Sequence, residues 1–222
     1  VSRHDPVLRA PDPRSPLSVG NGQFAFTADV TGLQTFGDYY YDNGTPLETQ
    51  ARWSWHTTPD VNGYKLEDTF TEFTNYGRTV GYPTQMTTPA GRWMRENPHT
   101  HPLGRLALDV RLPDGATLTT DHLSGIHQHL DLWTGVLTSR YQLAGSPVSV
   151  VTVAHPDHDL VAVRIESPLL ADGRLAVRLV FPRGHDMSVK NTPRLDWSQP
   201  ESHTSRVVRR DAQRVLLERS LD

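Results

Sequence analysis

Trp53 and Trp55 stand two positions apart with His56 beside them. On a strand the two indoles share a face and His56 points the other way. Paired indoles make a flat apolar platform with an N–H donor at its edge, which suits the C–H faces of sugars. Core packing is the alternative use of the same rings, since tryptophan is highly buried on average. Asn97-Pro98-His99-Thr100-His101-Pro102 places two more imidazoles two apart, in a loop that its prolines stiffen. A zinc site there would need further ligands, and no recognised spacing supplies them.

His127 and His129 repeat the two-apart pattern on an expected strand, with Asp131 continuing their face. A solvated strand face is the plainer reading of that trio. His155-Pro156-Asp157-His158-Asp159 reads as a proline turn with its carboxylates at an exposed tip, and Asp38-Tyr39-Tyr40-Tyr41-Asp42 sets acids beside aromatics. Glycoside chemistry by paired carboxylates depends on their separation in space, which linear spacing does not supply. No serine lies in a nucleophile-elbow setting. A Ser-His-Asp set can be assembled on paper from any chain with 11 histidines, so none is assigned. The sequence therefore yields no catalytic residue, no metal ligand set and no cofactor.

The elements that must carry these residues are strands. The 17 prolines and 16 glycines are scattered, and they interrupt the chain before an amphipathic helix of three turns can develop. Gly20-Asn21-Gly22 is a turn signal. From Gln23 to Val30, Phe24, Phe26, Ala28 and Val30 take one face while Gln23, Thr27 and Asp29 take the other, the alternation of a half-buried strand. Thr31-Gly32 then reads as a turn into Leu33 to Phe36, giving a hairpin. With no lysine after the glycine turn and no helix opening behind it, a phosphate loop is not indicated.

The second half predicts a meander of antiparallel strands: 106–112, 116–119, 126–133, 136–143, 148–153, 160–165 and 175–181. Such a series implies a sandwich. Residues 37–103 are irregular and rich in aromatics, threonine, asparagine and proline, with strands expected at Arg52 to His56 and Arg78 to Tyr82. A stretch of this length packs over one face or builds a surface for something else. At the C-terminus, Arg206 to Arg209 and Arg214 to Arg219 read as a hairpin across a 210–212 turn, with a helix over Val207 to Leu217 as the competing reading.

The length of 222 residues is enough to bury a core, and one large β domain over 1–222 is expected. A net charge of -3 without a basic stripe points away from nucleic acid and from anionic membranes as partners. The chain has no cysteine, which excludes disulfides and thiolate metal sites and fits a secreted or periplasmic bacterial protein without fixing the compartment. No apolar run approaches the roughly 20 residues needed to span a bilayer as a helix, and a soluble chain is expected.

Taken together, the Gly20-Asn21-Gly22 turn with its strand, Trp53-Ser54-Trp55-His56, Asn97-Pro98-His99, Leu103-Gly104 and Leu130-Asp131-Leu132-Trp133-Thr134-Gly135 resemble the N-terminal region of six-hairpin glycosidases, within an uncharacterised bacterial branch. The resemblance extends over nearly the whole chain. It implies an all-β fold: a large antiparallel two-sheet supersandwich of the galactose-mutarotase-like type, with long irregular loops, set before an (α/α)6 barrel. In that superfamily the barrel carries the general acid and base for cleavage of glycosides by water or phosphate. Nothing in these 222 residues could form it, so the chain is expected to be C-terminally truncated, and no catalytic residue carries over.

The resemblance thus implies a noncatalytic sandwich domain of a glycoside hydrolase or phosphorylase, packing on its barrel and shaping the substrate entrance. Its partners would be the barrel of the parent protein and a carbohydrate. Trp53, Trp55, His56, Asn97, His99 and His101 are the expected substrate-binding residues, gathered at one end or face of the sandwich. A free-standing carbohydrate-binding module with an aromatic platform is the alternative. A mutarotase-like epimerase, using His127, His129 and Asp131, is the third possibility.

Overall fold

The computed structural model describes residues 2–182 and 203–221. In chain order come strands β1 (Val7–Leu8), β2 (Leu17–Gly20) and β3 (Phe24–Ala28), helix α1 (Gly37–Asn43), and strands β4 (Thr49–Ala51), β5 (Trp55–His56), β6 (Phe70–Asn75) and β7 (Arg78–Pro83). Helix α2 (Pro89–Glu96) precedes strands β8 (His99–Thr100), β9 (Arg105–Val110), β10 (Leu123–Asp131), β11 (Val136–Leu143), β12 (Ser146–Ala154) and β13 (Val161–Glu166). The short helix α3 (Pro168–Ala171) and strands β14 (Leu175–Val180), β15 (His203–Arg210) and β16 (Val215–Leu221) complete the order. Every strand pairing among the described residues is antiparallel, and the fold is an all-β sandwich with long irregular connections. No helix among them is long and apolar enough to cross a membrane.

Contacts divide the chain into two compact units, Val1–Arg52 with Pro102–Phe181, and Trp53–His101 with Pro182–Asp222. In the first, a five-stranded sheet ordered β1-β10-β11-β12-β13 packs against β2-β3-β4 through β12, and the β9-β14 pair adds to the same core. Phe24, Phe26, Ala28 and Val30 are all buried, as their alternation predicts, and they meet Leu137, Tyr141, Leu143, Val148 and Val150 from the facing sheet. A buried phenylalanine or leucine contributes roughly 1.5–3 kcal/mol relative to its exposed state, so this layer is the main source of stability in the unit.

The first hairpin lies on the other side of β3 from where the sequence suggests. It joins β2 to β3 around Asn21–Gln23, with Leu17 paired to Ala28 and Gly20 to Ala25. Gly20 has to be glycine, because a Cβ there would stand 2.4 Å from the Phe24 carbonyl oxygen. Leu33 to Phe36, expected as a strand, is instead a buried loop wound around Asp29. The Asp29 carboxylate accepts from the Thr31 amide at 2.8 Å, the Thr31 hydroxyl at 2.6 Å and the Phe36 amide at 2.7 Å. Those amides are unavailable to a ladder, and Asp29, expected on the wet face of its strand, is fully buried. Gln34 completes the loop: its backbone donates to Leu106 O while its side-chain oxygen accepts from Leu106 N.

The meander over 123–166 follows the expected strands closely, from β10 to β13. Residues 116–119 form no strand, since this segment finds no ladder partner and leads into a 3-10 turn at Thr120–His122. Strand β9 stops at Val110, although Leu112 beyond it is buried.

In the second unit, β5 pairs with β8, β6 with β7 and β15 with β16. Helix α2 starts where Thr88 accepts from the Gly91 amide, with Pro89 in the first turn, and it packs on the 3-10 turn Leu66–Thr69. The strand expected at Arg78 to Tyr82 is present as β7. At the C-terminal end Val207 pairs with Leu217 and Arg210 with Val215, which overturns the helical alternative in favour of the hairpin. Asp211 closes its turn by accepting from the Gln213 amide at 3.0 Å.

Candidate functional site

The six residues singled out in sequence all fall in the second unit. The strand expected over Arg52 to His56 is broken: Arg52–Ser54 is a 3-10 turn and only Trp55–His56 is extended. Trp53 therefore sits on a turn and Trp55 on a strand, so they do not share one strand face. The cause is local, because Ser54 is buried and its carbonyl accepts from the His101 amide at 2.9 Å, while the Arg52 amide is taken by Gln23 O at 2.7 Å. Both indoles are open to solvent, Trp53 at 67% and Trp55 at 55% relative exposure. Neither is core, which removes the alternative raised for them.

The Asn97–His101 segment lies directly alongside. Trp55 pairs with Thr100 and His56 with His99, and the His101 amide extends the contact to Ser54. The imidazoles of His99 and His101 meet edge to face with ring centres 5.1 Å apart, and His99 Nδ1 lies 3.0 Å from Glu96 O. Four of the six residues, Trp55, His56, His99 and His101, thus belong to one short antiparallel pairing and its extension, and Trp53 sits on the turn before it. Asn97 behaves differently. Its side-chain oxygen accepts from the Thr58 amide at 2.7 Å, and its nitrogen donates to Trp93 O at 2.9 Å. Trp93 in turn donates from its indole nitrogen to Thr58 O at 3.1 Å. These three bonds tie the exit of β5 to the last turn of α2, and they give Asn97 a positioning task behind the pairing.

Trp93 and Thr58 escaped sequence reasoning, although the Thr88-Pro89 start of α2 carries a readable capping signal. Tyr64 packs near Trp93 with ring centres 6.3 Å apart. The hairpin β6–β7 carries a further apolar strip, with Phe73 and Tyr82 exposed and their rings 5.8 Å apart. Periodicity missed this strip because threonine and asparagine separate its aromatics.

The other candidates serve the scaffold. His129 Nε2 lies 3.4 Å from the Asp5 carboxylate. Asp131 accepts from the amides of Trp133 and Thr134 at 2.8 and 3.2 Å, and the hydrogen bonds of this turn, that of the Thr134 side chain foremost, hold its carboxyl below the usual range. His155 and His158 stack at 4.6 Å in the turn after β12, and Asp38 pairs with the buried Arg105 at 2.8 Å. No group of three or more histidine or acidic side chains that could hold a metal ion occurs among the described residues.

Compared with known proteins, the chain matches no family model, no curated protein and no solved structure.

Proposed function

We propose that this chain is a noncatalytic, carbohydrate-contacting β-sandwich region of a glycoside hydrolase or phosphorylase, with Trp53 and Trp55 forming a shelf for sugar rings. The reading rests on one observation: two indoles are exposed to solvent, Trp55 on β5 paired with β8 and Trp53 on the 3-10 turn that enters it. Exposure of two large rings at a rigid position loses apolar burial, and stacking on the C–H face of a sugar recovers it. His99, on the paired segment, is enclosed, with its Nδ1 against Glu96 O and its Nε2 shut off from solvent, so it backs the shelf rather than facing a ligand. Asn97 keeps that segment in place. The resemblance to six-hairpin glycosidases supplies the wider context, in which the shelf borders the substrate entrance of a barrel domain.

Calorimetric titration of this chain against a panel of neutral oligosaccharides tests the reading. Binding at submillimolar affinity, lost in both Trp53→Ala and Trp55→Ala, is the expected result for a carbohydrate-contacting surface. If both variants bind as wild type does, or no member of the panel binds, the shelf has no such role in this chain.

A further inference from the structure

The outer face of the five-stranded sheet carries a second feature, apart from the tryptophans. Register places His127 opposite Arg140, Arg140 opposite Ser149, and Ser149 opposite Glu166, so four polar side chains form one row across β10, β11, β12 and β13. Neighbouring strands lie about 4.8 Å apart, so the Arg140 and Glu166 backbones are roughly 10 Å apart with Ser149 between them. The charges on this face are unevenly matched. Arg164 is paired with Glu166, and His129 lies against Asp5. Arg140, exposed, has His127 and Ser149 as its row neighbours and no carboxylate adjacent in register.

Arg140 also lines an open, largely apolar cleft of about 550 Å³, with Pro147, Val148 and Pro168 in its walls beside Gly125, Gln142 and Ser149. That volume falls within the range of small-molecule sites. The register shift in β10 between Ser124 and His127 brings Gly125, at φ +60°, to the rim, where nothing stands within 4 Å of the position a Cβ would take. The bulge therefore leaves that rim open. An exposed guanidinium at such a wall suits a carboxylate, which accepts two parallel N–H bonds from arginine.

We propose that this cleft binds a carboxylate-bearing small molecule, its carboxylate on Arg140 and its remaining polar groups toward Ser149 and Gln142. Glu166, which also lines the cleft and shares its charge with Arg164, offers a carboxylate oxygen to a ligand hydroxyl. The site stands whether or not the tryptophan shelf binds sugar, since it lies in the other unit.

Amide chemical-shift titration of the whole chain with glucuronate, glucose and acetate tests the proposal. Glucuronate is expected to shift the Arg140, Ser149 and Gln142 amides with a Kd of about 1–10 mM, and glucose to shift them at least tenfold more weakly. Arg140→Ala should weaken glucuronate at least tenfold and Arg140→Lys by less, both with unchanged melting temperature, because the side chain is exposed. Acetate binding that depends on Arg140 supports the carboxylate contact and marks a simple organic acid as sufficient; acetate much weaker than glucuronate supports a sugar acid. Equal binding of glucose and glucuronate, no shifts at these amides up to about 50 mM, or wild-type affinity in Arg140→Ala overturns the proposal.

Discussion

Asn21 and His158 are 137 positions apart, and the Asn21 side-chain nitrogen donates to the His158 carbonyl oxygen at 3.1 Å. The same nitrogen reaches His155 O at 3.2 Å, while the side-chain oxygen accepts from the amides of Gln23 and Phe24. One amide thus shapes the β2–β3 turn and ties it to the turn after β12. A carboxylate at this position would keep the two accepted bonds but face two carbonyl oxygens. Asn21→Asp is therefore expected to destabilise the sandwich by about 1–3 kcal/mol, the scale of an unsatisfied or repelled polar pair. Urea unfolding measures it, and a loss below about 0.5 kcal/mol would show the tie to be dispensable.

Asp29 gives the first unit a pH dependence of known sign. Burial raises its carboxyl from 3.8 to about 6, against the lowering effect of the hydrogen bonds from Phe36 and Thr31. Between those pH values the folded chain holds a proton that the unfolded chain has lost, so stability falls as pH rises through the window. This contribution is complete below 3.8 and gone above about 6, a difference on the order of 3 kcal/mol. Asn at this position is expected to flatten the slope between pH 4 and 6 while lowering stability overall, because its amide nitrogen cannot accept from Phe36. Equal slopes for wild type and Asp29→Asn in urea midpoints would assign the dependence elsewhere.

Gly37, which starts α1, and Gly44, which follows its end, should respond differently to alanine. A Cβ on Gly44 would stand 2.1 Å from the Pro13 carbonyl oxygen, which is backbone and cannot step aside. On Gly37 it would meet the Arg105 guanidinium at 2.2 Å, and a side-chain end can swing away, though it would loosen the 2.8 Å bond to Asp38. Gly44→Ala is thus expected to destabilise by about 2–4 kcal/mol and Gly37→Ala by about 1–2 kcal/mol. Thermal melts of the two variants would expose the error if the order were reversed.

Sequence periodicity located β10 to β13 well because each strand buries one face, so Leu137, Tyr141 and Leu143 alternate with wet neighbours. It misplaced the first hairpin for a reason no period contains: a single carboxylate, Asp29, draws the amides of Thr31 and Phe36 away from a ladder. Trp53 and Trp55 were legible as a pair, yet their separate orientations depend on Ser54 O being claimed by the His101 amide. A contact between residues so far apart in sequence leaves no local signature. Trp93, Thr58 and Asn97 were hidden in the same way, since their bonds join three segments.

That three-bond tie makes the last prediction. Thr58 has both backbone groups engaged, its amide by Asn97 and its carbonyl by the Trp93 indole. Removing the Asn97 amide leaves the Thr58 amide and Trp93 O without their partner, so Asn97→Ala should speed hydrogen exchange at Thr58 by about tenfold or more, the equivalent of about 1.4 kcal/mol. Trp93→Phe removes the indole N–H and shrinks the ring, and should leave the Thr58 amide protected while destabilising the second unit by about 1–3 kcal/mol. The contrast separates the roles of the two side chains. If exchange at Thr58 is unchanged in Asn97→Ala, then Asn97 does not position the β5–β8 pairing.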